Sequence, residues 1–334
     1  MTKLTEMLKY VSNYNDFYKN RIKEYGIVNP LDITNWPILT REELQNSRFN
    51  MFSEGEKIEF FNNNLIRMSS SGTAGMPIDV YWNKEQYYKS MLNVWRLRKQ
   101  YNGIMPTSRK LTIISSPKHV AGLNNYSHKE RANTLIINQT LLKNPEYQNQ
   151  IMTEIQVFSP EWIYARPTLL SELVALYKSK GIMPPSSIRY IEVTGELLTS
   201  TARNFIQDFF GILVTNMYGT EELGTIAYEC PCGNMHILQD NVYLEVNSLD
   251  CSNNASTGRA LVTGLINTVM PLIRYEIGDI LTINKSESNC ECHNTNNELQ
   301  IIHGRTINSI DTSELKLNSY MLISCIDAIN NELD

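Results

Sequence analysis

Between residues 188 and 217 the sequence changes its period twice, and this constrains the fold more than any other stretch. Ile188 to Val193 is a short apolar run of β character, 199–210 has helical spacing and stops at Gly211, and Ile212 to Met217 is apolar and β-rich again. A strand, a crossover helix and a second strand return to one sheet in parallel pairing, which commits the chain to an α/β architecture. The alternation also extends upstream. Leu111 to Ser115 reads as a strand, and a helix from Thr168 places Leu170, Leu173, Val174 and Tyr177 on one face before Gly181 stops it. Thr40 with Glu43 predicts a capping box, each side chain satisfying an orphan backbone donor. In 84–101, Tyr88, Met91, Leu92 and Trp95 recur at helical spacing and predict a buried stripe.

Beyond residue 236 the helical pattern fades. Strand-like pieces follow at Val242–Val246, Ala260–Thr263, Pro271–Tyr275, Ile280–Ile283 and Leu299–Ile302, so this half reads as a β subdomain. The Asn- and Ser-rich stretch 284–298 reads as an exposed loop. The fold expected is thus α/β, with parallel or mixed sheets flanked by helices plus the β subdomain. A chain of 334 residues with 42% hydrophobic and 19% charged residues has the balance of a packed globular protein. Its net charge is −5 and no basic face is visible, so nucleic acid is not an expected partner. Apolar runs such as Leu111–Ile114 are far shorter than a membrane span, and no hydrophobic signal segment is seen. No membrane association is expected, and a cytoplasmic location is.

Three segments carry chemistry. Ser69-Ser70-Ser71-Gly72-Thr73-Ala74-Gly75-Met76-Pro77 lies between strand-like runs and can wrap backbone N–H groups and hydroxyls around phosphate oxygens. It lacks the Gly-Lys-Ser/Thr ending of a Walker loop, and a plain surface turn is the alternative. Tyr218-Gly219-Thr220-Glu221-Glu222-Leu223-Gly224 offers a ring to stack on a base and carboxylates for Mg2+; the alternative is a tight turn with solvated acids. Arg274-Tyr275-Glu276-Ile277-Gly278-Asp279 would present a carboxylate to a ribose diol, or form a surface hairpin.

In order and spacing these segments resemble the AMP-forming adenylate ligases, and most closely the phenylacetate-CoA ligase-like branch. The matching residues are SSSGTAGMP at 69–77, TGE at 194–196, YGTEELGTIAYEC at 218–230, PLIRYEIGD at 271–279 and HGR at 303–305, with Trp36–Leu44 similar to that branch's N-terminal region. The resemblance implies ATP-dependent adenylation of a small carboxylic acid, with ATP and Mg2+ as cofactors and CoA, another thiol or an amine as an open choice of acceptor. It implies that Ser69, Ser70, Ser71, Gly72, Thr73 and Gly75 hold the β- and γ-phosphates, and that Gly195 and Glu196 lie beside an adenine on which Tyr218 stacks. Gly219, Thr220 and Glu221 join this nucleotide site, Glu222 helps bind Mg2+, Asp279 takes the ribose hydroxyls, and Arg305 touches the nucleotide near a hinge. The acid pocket would form near Tyr164, Arg166 and Pro167 and the 115–126 region. On this reading residues 1–236 form the nucleotide- and acid-binding core, 237–305 the β subdomain with its Cys-rich loop, and 306–334 the hinge and the start of a shortened C-terminal region.

The sequence also departs from the family pattern. Glu221 stands where a Ser or Thr is usual, and Ala74 and Met76 stand where Thr and Lys are common. No counterpart of the family's lid lysine is seen among residues 306–334. A chain cut at the hinge, a short enzyme completed by a separate lid or carrier protein, and a degenerate nucleotide-binding scaffold without efficient turnover remain open. The pairs Cys230/Cys232 and Cys290/Cys292 predict structural Zn2+ if their loops converge, with His236 or His293 able to replace one cysteine. Free thiols are the alternative. Four cysteine ligands would leave no open position for catalysis.

Overall fold

The computed structural model describes residues 2–70, 77–115, 127–129, 133–251, 255–284, 288–305, 309–311, 316–318, 322–323, 325–327 and 329. Polar caps set where the first helices begin. The Thr2 hydroxyl accepts the Thr5 N–H at the start of α1 (Lys3–Tyr14), and the Asn15 side chain accepts the Tyr18 N–H at the start of α2 (Asp16–Glu24). Thr40 caps α3 (Arg41–Ser47) by accepting the Glu43 N–H at 3.2 Å, as predicted. The other half of the box does not form, because the Glu43 carboxylate instead accepts from Arg21 on α2. Then come α4 (Glu56–Phe61), the antiparallel pair β1 (Ile66–Ser69) and β2 (Asp79–Trp82), and α5 (Lys84–Asn102).

Next in the chain are β3 (Lys110–Ile114), β4 (Ser127–Lys129), β5 (Thr134–Asn138), α6 (Gln139–Leu142), α7 (Pro145–Phe158), β6 (Trp162–Ala165), α8 (Pro167–Lys180), β7 (Tyr190–Thr194), α9 (Ser200–Phe210) and β8 (Val214–Thr220). The final stretch holds β9 (Gly224–Glu229), β10 (Met235–Ile237), β11 (Val242–Cys251), β12 (Ala255–Gly264), β13 (Tyr275–Asn284), β14 (Leu299–Arg305), β15 (Ser309–Asp311) and β16 (Lys316–Asn318). No described helix is long and apolar enough to cross a membrane.

The chain packs as two compact units, both discontinuous: residues 1–94 with 219–322, and 95–218 with 323–334. This grouping differs from the contiguous segments 1–236 and 237–305 read from the sequence. In the first unit, hydrogen bonds join the N-terminal part to the later segment. Tyr18 donates to the Pro271 carbonyl at 2.9 Å, Ser53 donates to the Thr268 carbonyl at 2.7 Å, and the Asn267 amide donates to the Tyr81 carbonyl at 2.9 Å. Its sheet runs β11-β12-β13-β14, antiparallel throughout. The stretch predicted as a strand at Pro271–Tyr275 is mostly loop. The Ile273 N–H donates to the Tyr18 hydroxyl and the Arg274 N–H to Thr263 Oγ1, so side chains rather than a neighbouring strand take those donors. The strand expected at Ile280–Ile283 is the second half of β13.

The second unit contains the predicted βαβ crossover: α9 connects β7 to β8, which pair in parallel from Ile191↔Val214 to Thr194↔Met217. Strand order is β8-β7-β6-β3-β5-β4, with only β4 antiparallel to its neighbour. The α8 face foreseen from spacing is buried: Leu170, Leu173, Val174 and Tyr177 all lie in the core with Leu111, Ile137, Ile163 and Ile191. Each such side chain contributes ~1.5–3 kcal/mol relative to exposure. The stripe foreseen on α5 is covered only in part, with Trp95 packed against Trp162 and Tyr190. Tyr88 and Leu92 are 56% and 53% exposed, whereas Ser90, Val94 and Arg98 are buried. A charged residue occupies a core position there, and apolar periodicity cannot register that.

Candidate nucleotide and metal sites

Two regions of the first unit that are distant in sequence meet on one side chain. Arg41, the first residue of α3, lies with Nη1 3.5 Å from Glu222 Oε1 and donates from Nη2 to Ser70 Oγ at 3.4 Å. Arg41 thus links the neck of the serine-rich loop to the Tyr218-led turn. Only its place in the quoted segment Trp36–Leu44 pointed to it. Glu222 is 7% exposed while Glu221 is exposed to solvent, so the two neighbouring acids have different surroundings. The turn between them and β9 is tight. A Cβ on Gly219 would come within 2.4 Å of the Gly224 carbonyl, so only glycine fits, and Thr220 Oγ1 accepts the Leu223 N–H at 3.2 Å to close the turn.

The hydroxyls at the start of the serine-rich loop are engaged in its own frame. The Ser70 N–H donates to the Ile78 carbonyl at 2.9 Å and the Ile78 N–H donates to Ser70 Oγ at 2.8 Å, pinching the neck. Ser69 is the cross-strand partner of Asp79 and donates to it at 2.5 Å; Arg67 and Arg48 reach the same carboxylate at 2.9 and 2.6 Å. Burial pushes the Asp79 carboxyl up, but Ser69, Arg67 and Arg48 outweigh it and hold the group below its ordinary range. Asp79 had no signal in the sequence. Ser71, Gly72, Thr73 and Gly75 lie outside the described residues.

Asp279 is buried on β13, and the register places it directly opposite Arg305 on β14. Two predicted nucleotide contacts thus become cross-strand neighbours. The Arg305 side chain lies outside the described residues.

Gly195, Glu196, Tyr218, Tyr164, Arg166 and Pro167 belong to the second unit. They lie in the carboxyl-terminal halves of the adjacent parallel strands β6 and β8 or just after β6 and β7, toward the edge where open α/β sheets bind ligands. Glu196 accepts from the Thr168 hydroxyl at 2.5 Å, reaches toward the Thr168 N–H at 3.4 Å and pairs with Arg166 at 3.5 Å. A carboxylate at the first turn of α8 suits the helix dipole. Tyr164 faces the Arg98 guanidinium at 5.8 Å, beside Trp95 and Trp162. The acid-pocket stretch 116–126 lies outside the described residues.

The cysteine pairs do converge. Donor atoms of Cys230, His236, Cys290 and Cys292 lie within 4.8 Å of one another. Cys232 is exposed, and although its thiol reaches Cys230 and Cys290 it is not among the four mutually close donors; His236, foreseen as a substitute, is. His293 is likewise not a member. The Cys290 thiol is lowered to about 6: burial raises it, but the Cys292 N–H, the Cys292 thiol, the Asn234 amide and His236 favour the thiolate more strongly.

No family model matches the chain. It is 31% identical over 167 residues to a phenylacetate-coenzyme A ligase of Thermus thermophilus, a match covering 48% of this chain and 37% of the relative. It is 22% identical over 285 residues to Protein CapK of Staphylococcus aureus, covering 82% and 60% respectively. The matches thus take in less than two thirds of either relative's length. Among solved structures, a 2-hydroxyisobutyryl-CoA ligase in the postadenylation state superposes with a TM-score of 0.75 at 15% identity, over 98% of this chain and 71% of that one, and so shares the fold. The chain is thus similar over about half its length to a phenylacetate-coenzyme A ligase and shares the fold of a CoA ligase, and the five ordered segments quoted above agree with that likeness.

Proposed function

We propose that the chain adenylates a small carboxylic acid: a substrate carboxylate oxygen attacks the α-phosphate of ATP, the bond to pyrophosphate breaks, and acyl-AMP forms. The observation that carries this reading is the Arg41 link, which brings the phosphate-loop neck and the acidic turn together although about 150 residues separate Ser70 from Glu222. No protein nucleophile is called for, so catalysis rests on positioning and on offsetting negative charge. The loop centred on 71–76 takes the β- and γ-phosphates. Glu222 binds Mg2+, drawing on its loose pairing with Arg41. Asp279 accepts from the ribose hydroxyls with Arg305 alongside, and Gly195, Glu196 and Tyr218 serve the adenine. The acid takes the region near Tyr164, Arg166 and Pro167. CoA is the acceptor favoured by the names of the ligase relatives, both of which are CoA ligases. The metal-donor cluster takes no part in this chemistry.

A nucleotide-binding scaffold without turnover is the competing reading, favoured by the exposed carboxylate of Glu221 in a turn proposed to face phosphates. Exchange of labelled pyrophosphate into ATP, run with a panel of aryl, hydroxylated and branched aliphatic acids, separates the two. Acid-dependent exchange above the no-acid blank is expected. ATP binding without exchange for any acid would hand the case to the scaffold.

A further inference from the structure

Two short turns of the first unit share one construction. In Cys230-Pro231-Cys232-Gly233 the Gly233 N–H donates to the Cys230 carbonyl at 2.9 Å, with Gly233 at φ +82°. In Cys290-Glu291-Cys292-His293 the His293 N–H donates to the Cys290 carbonyl at 2.9 Å, with His293 at φ +60°. Such a turn gathers backbone N–H groups around its first sulfur: those of Cys232 and Asn234 at Cys230, and that of Cys292 at Cys290. The Asn234 side-chain amide adds a donor 3.2 Å from Cys290 Sγ. Donors grouped in this way hydrogen-bond a sulfur and fix its direction, as partners of a metal ligand do.

The two turns are held face to face by a strip of backbone pairing. The Ile237 N–H donates to the Asn297 carbonyl at 2.9 Å, the Asn296 amide donates to the Ile237 carbonyl at 3.0 Å, and His236 bridges Glu298. This strip brings His236, 2% exposed, against the second turn with Nε2 3.2 Å from Cys292 Sγ. Its other nitrogen, Nδ1, lies 3.4 Å from the Asn296 carbonyl. An Nδ1–H donated there leaves the Nε2 lone pair aimed at the sulfurs, the usual way a ligating imidazole is oriented.

We propose that Cys230, His236, Cys290 and Cys292 hold one Zn2+ in a closed site, with His236 Nε2 as the nitrogen ligand and Cys232 outside it. Tetrahedral Zn2+ at the usual bond lengths implies ~3.8 Å between sulfurs and roughly 3.5 Å between sulfur and nitrogen. Cys230 Sγ lies 3.6 Å from Cys290 Sγ, and no donor pair exceeds 4.8 Å, so the cage needs only small side-chain adjustments to close on the ion. These cysteines are free thiols rather than disulfides. Four protein ligands leave no position for a substrate, so the ion is structural. It pins the far end of the β9–β10 hairpin to the 288–298 loop, while the near end of β9 begins two residues after Glu222.

Metal content of the full chain, followed by exchange into Co2+ and visible spectroscopy, tests the proposal without any turnover assay. One zinc ion per chain is expected, with intense tetrahedral Co2+ bands and thiolate charge transfer. Cys232→Ser should keep both, and Cys290→Ser should weaken binding roughly tenfold or more. His236→Cys, which can still close a cage, should shift the Co2+ spectrum to that of an all-cysteine site. A zinc-free chain whose Co2+ spectrum is that of the hydrated ion would overturn the site. Loss of the thiolate band in Cys232→Ser, or an unchanged spectrum in His236→Cys, would overturn the ligand set.

Discussion

Two of the molecule's arginine–glutamate pairs share their chemistry and differ in their surroundings. In the second unit Arg98 donates from Nε and Nη2 to both Glu192 oxygens, at 2.8 and 2.5 Å, and Tyr190 donates to the same carboxylate at 2.8 Å. The guanidinium lies 4.6 Å from the Trp95 ring and 5.1 Å from the Trp162 ring, and the two side chains are 4% and 0% exposed. In the first unit Arg41 Nη1 approaches Glu222 Oε1 to 3.5 Å, with the arginine side chain 26% and the glutamate 8% exposed. A bidentate pair walled in by aromatics is part of the core. A single long contact within reach of solvent can be exchanged for a cation or a phosphate.

The largest effect expected from this contrast is on stability. Arg98→Met leaves Glu192 buried without its counter-ion and should cost about 3–5 kcal/mol in urea unfolding. A loss below ~1 kcal/mol would erase the distinction between the pairs. Next comes Glu222→Gln, which keeps a hydrogen-bonding side chain in place and should cost less stability than Arg98→Met, yet lower pyrophosphate exchange by about 10²–10³-fold. Glu221→Gln, the exposed neighbour, should leave stability unchanged and should not lower exchange; equal losses from both would erase the distinction between them. Gly219→Ala sharpens the comparison from another side, because the open pair depends on a rigid turn. With a Cβ forced toward the Gly224 carbonyl, a loss of about 1–3 kcal/mol is expected, seen as a lower melting temperature.

The smallest effect concerns Asp79, in the frame beneath the open pair. Ser69→Ala removes one donor and should cost about 1 kcal/mol at neutral pH. Because the folded-state pKa of Asp79 is depressed, its stabilisation is complete above the ordinary carboxylate value and lost as pH falls through the lowered one. In the variant that loss should begin at higher pH, read as an upward shift of the acid side of the stability–pH profile. An unshifted profile would show that the arginines alone hold the carboxylate.

The parts legible in the sequence were those whose signal is local. The α8 face, the βαβ crossover and the Thr40 cap each depend on residues a few positions apart, and the structure contains all three. What the sequence concealed depends on distant partners. Arg98 looks like a surface residue of α5 until Glu192 is brought against it, while Tyr88 and Leu92 of the expected stripe stay exposed. Glu43 completes a capping box on paper, but Arg21 takes its carboxylate. The Cys-x-Cys pairs pointed to a cluster of donors, and the structure gathers Cys230, Cys290 and Cys292 with His236. Which donor would be left out was decided by β10, whose pairing with 296–298 turns His236 inward while Cys232 stays exposed.

The interleaving of the two units has a consequence for synthesis. A ribosome delivers residues 1–94 first, but the groups that complete their hydrogen bonds, around Asn267 to Ile273, emerge only after all of 95–218. The second unit's main segment is contiguous and can begin to condense while the N-terminal helices still wait with their apolar faces uncovered. Nascent chains of this protein should therefore pass through a stage in which the later-encoded half is the more ordered one, and in which α1 and α2 are the natural targets of chaperones.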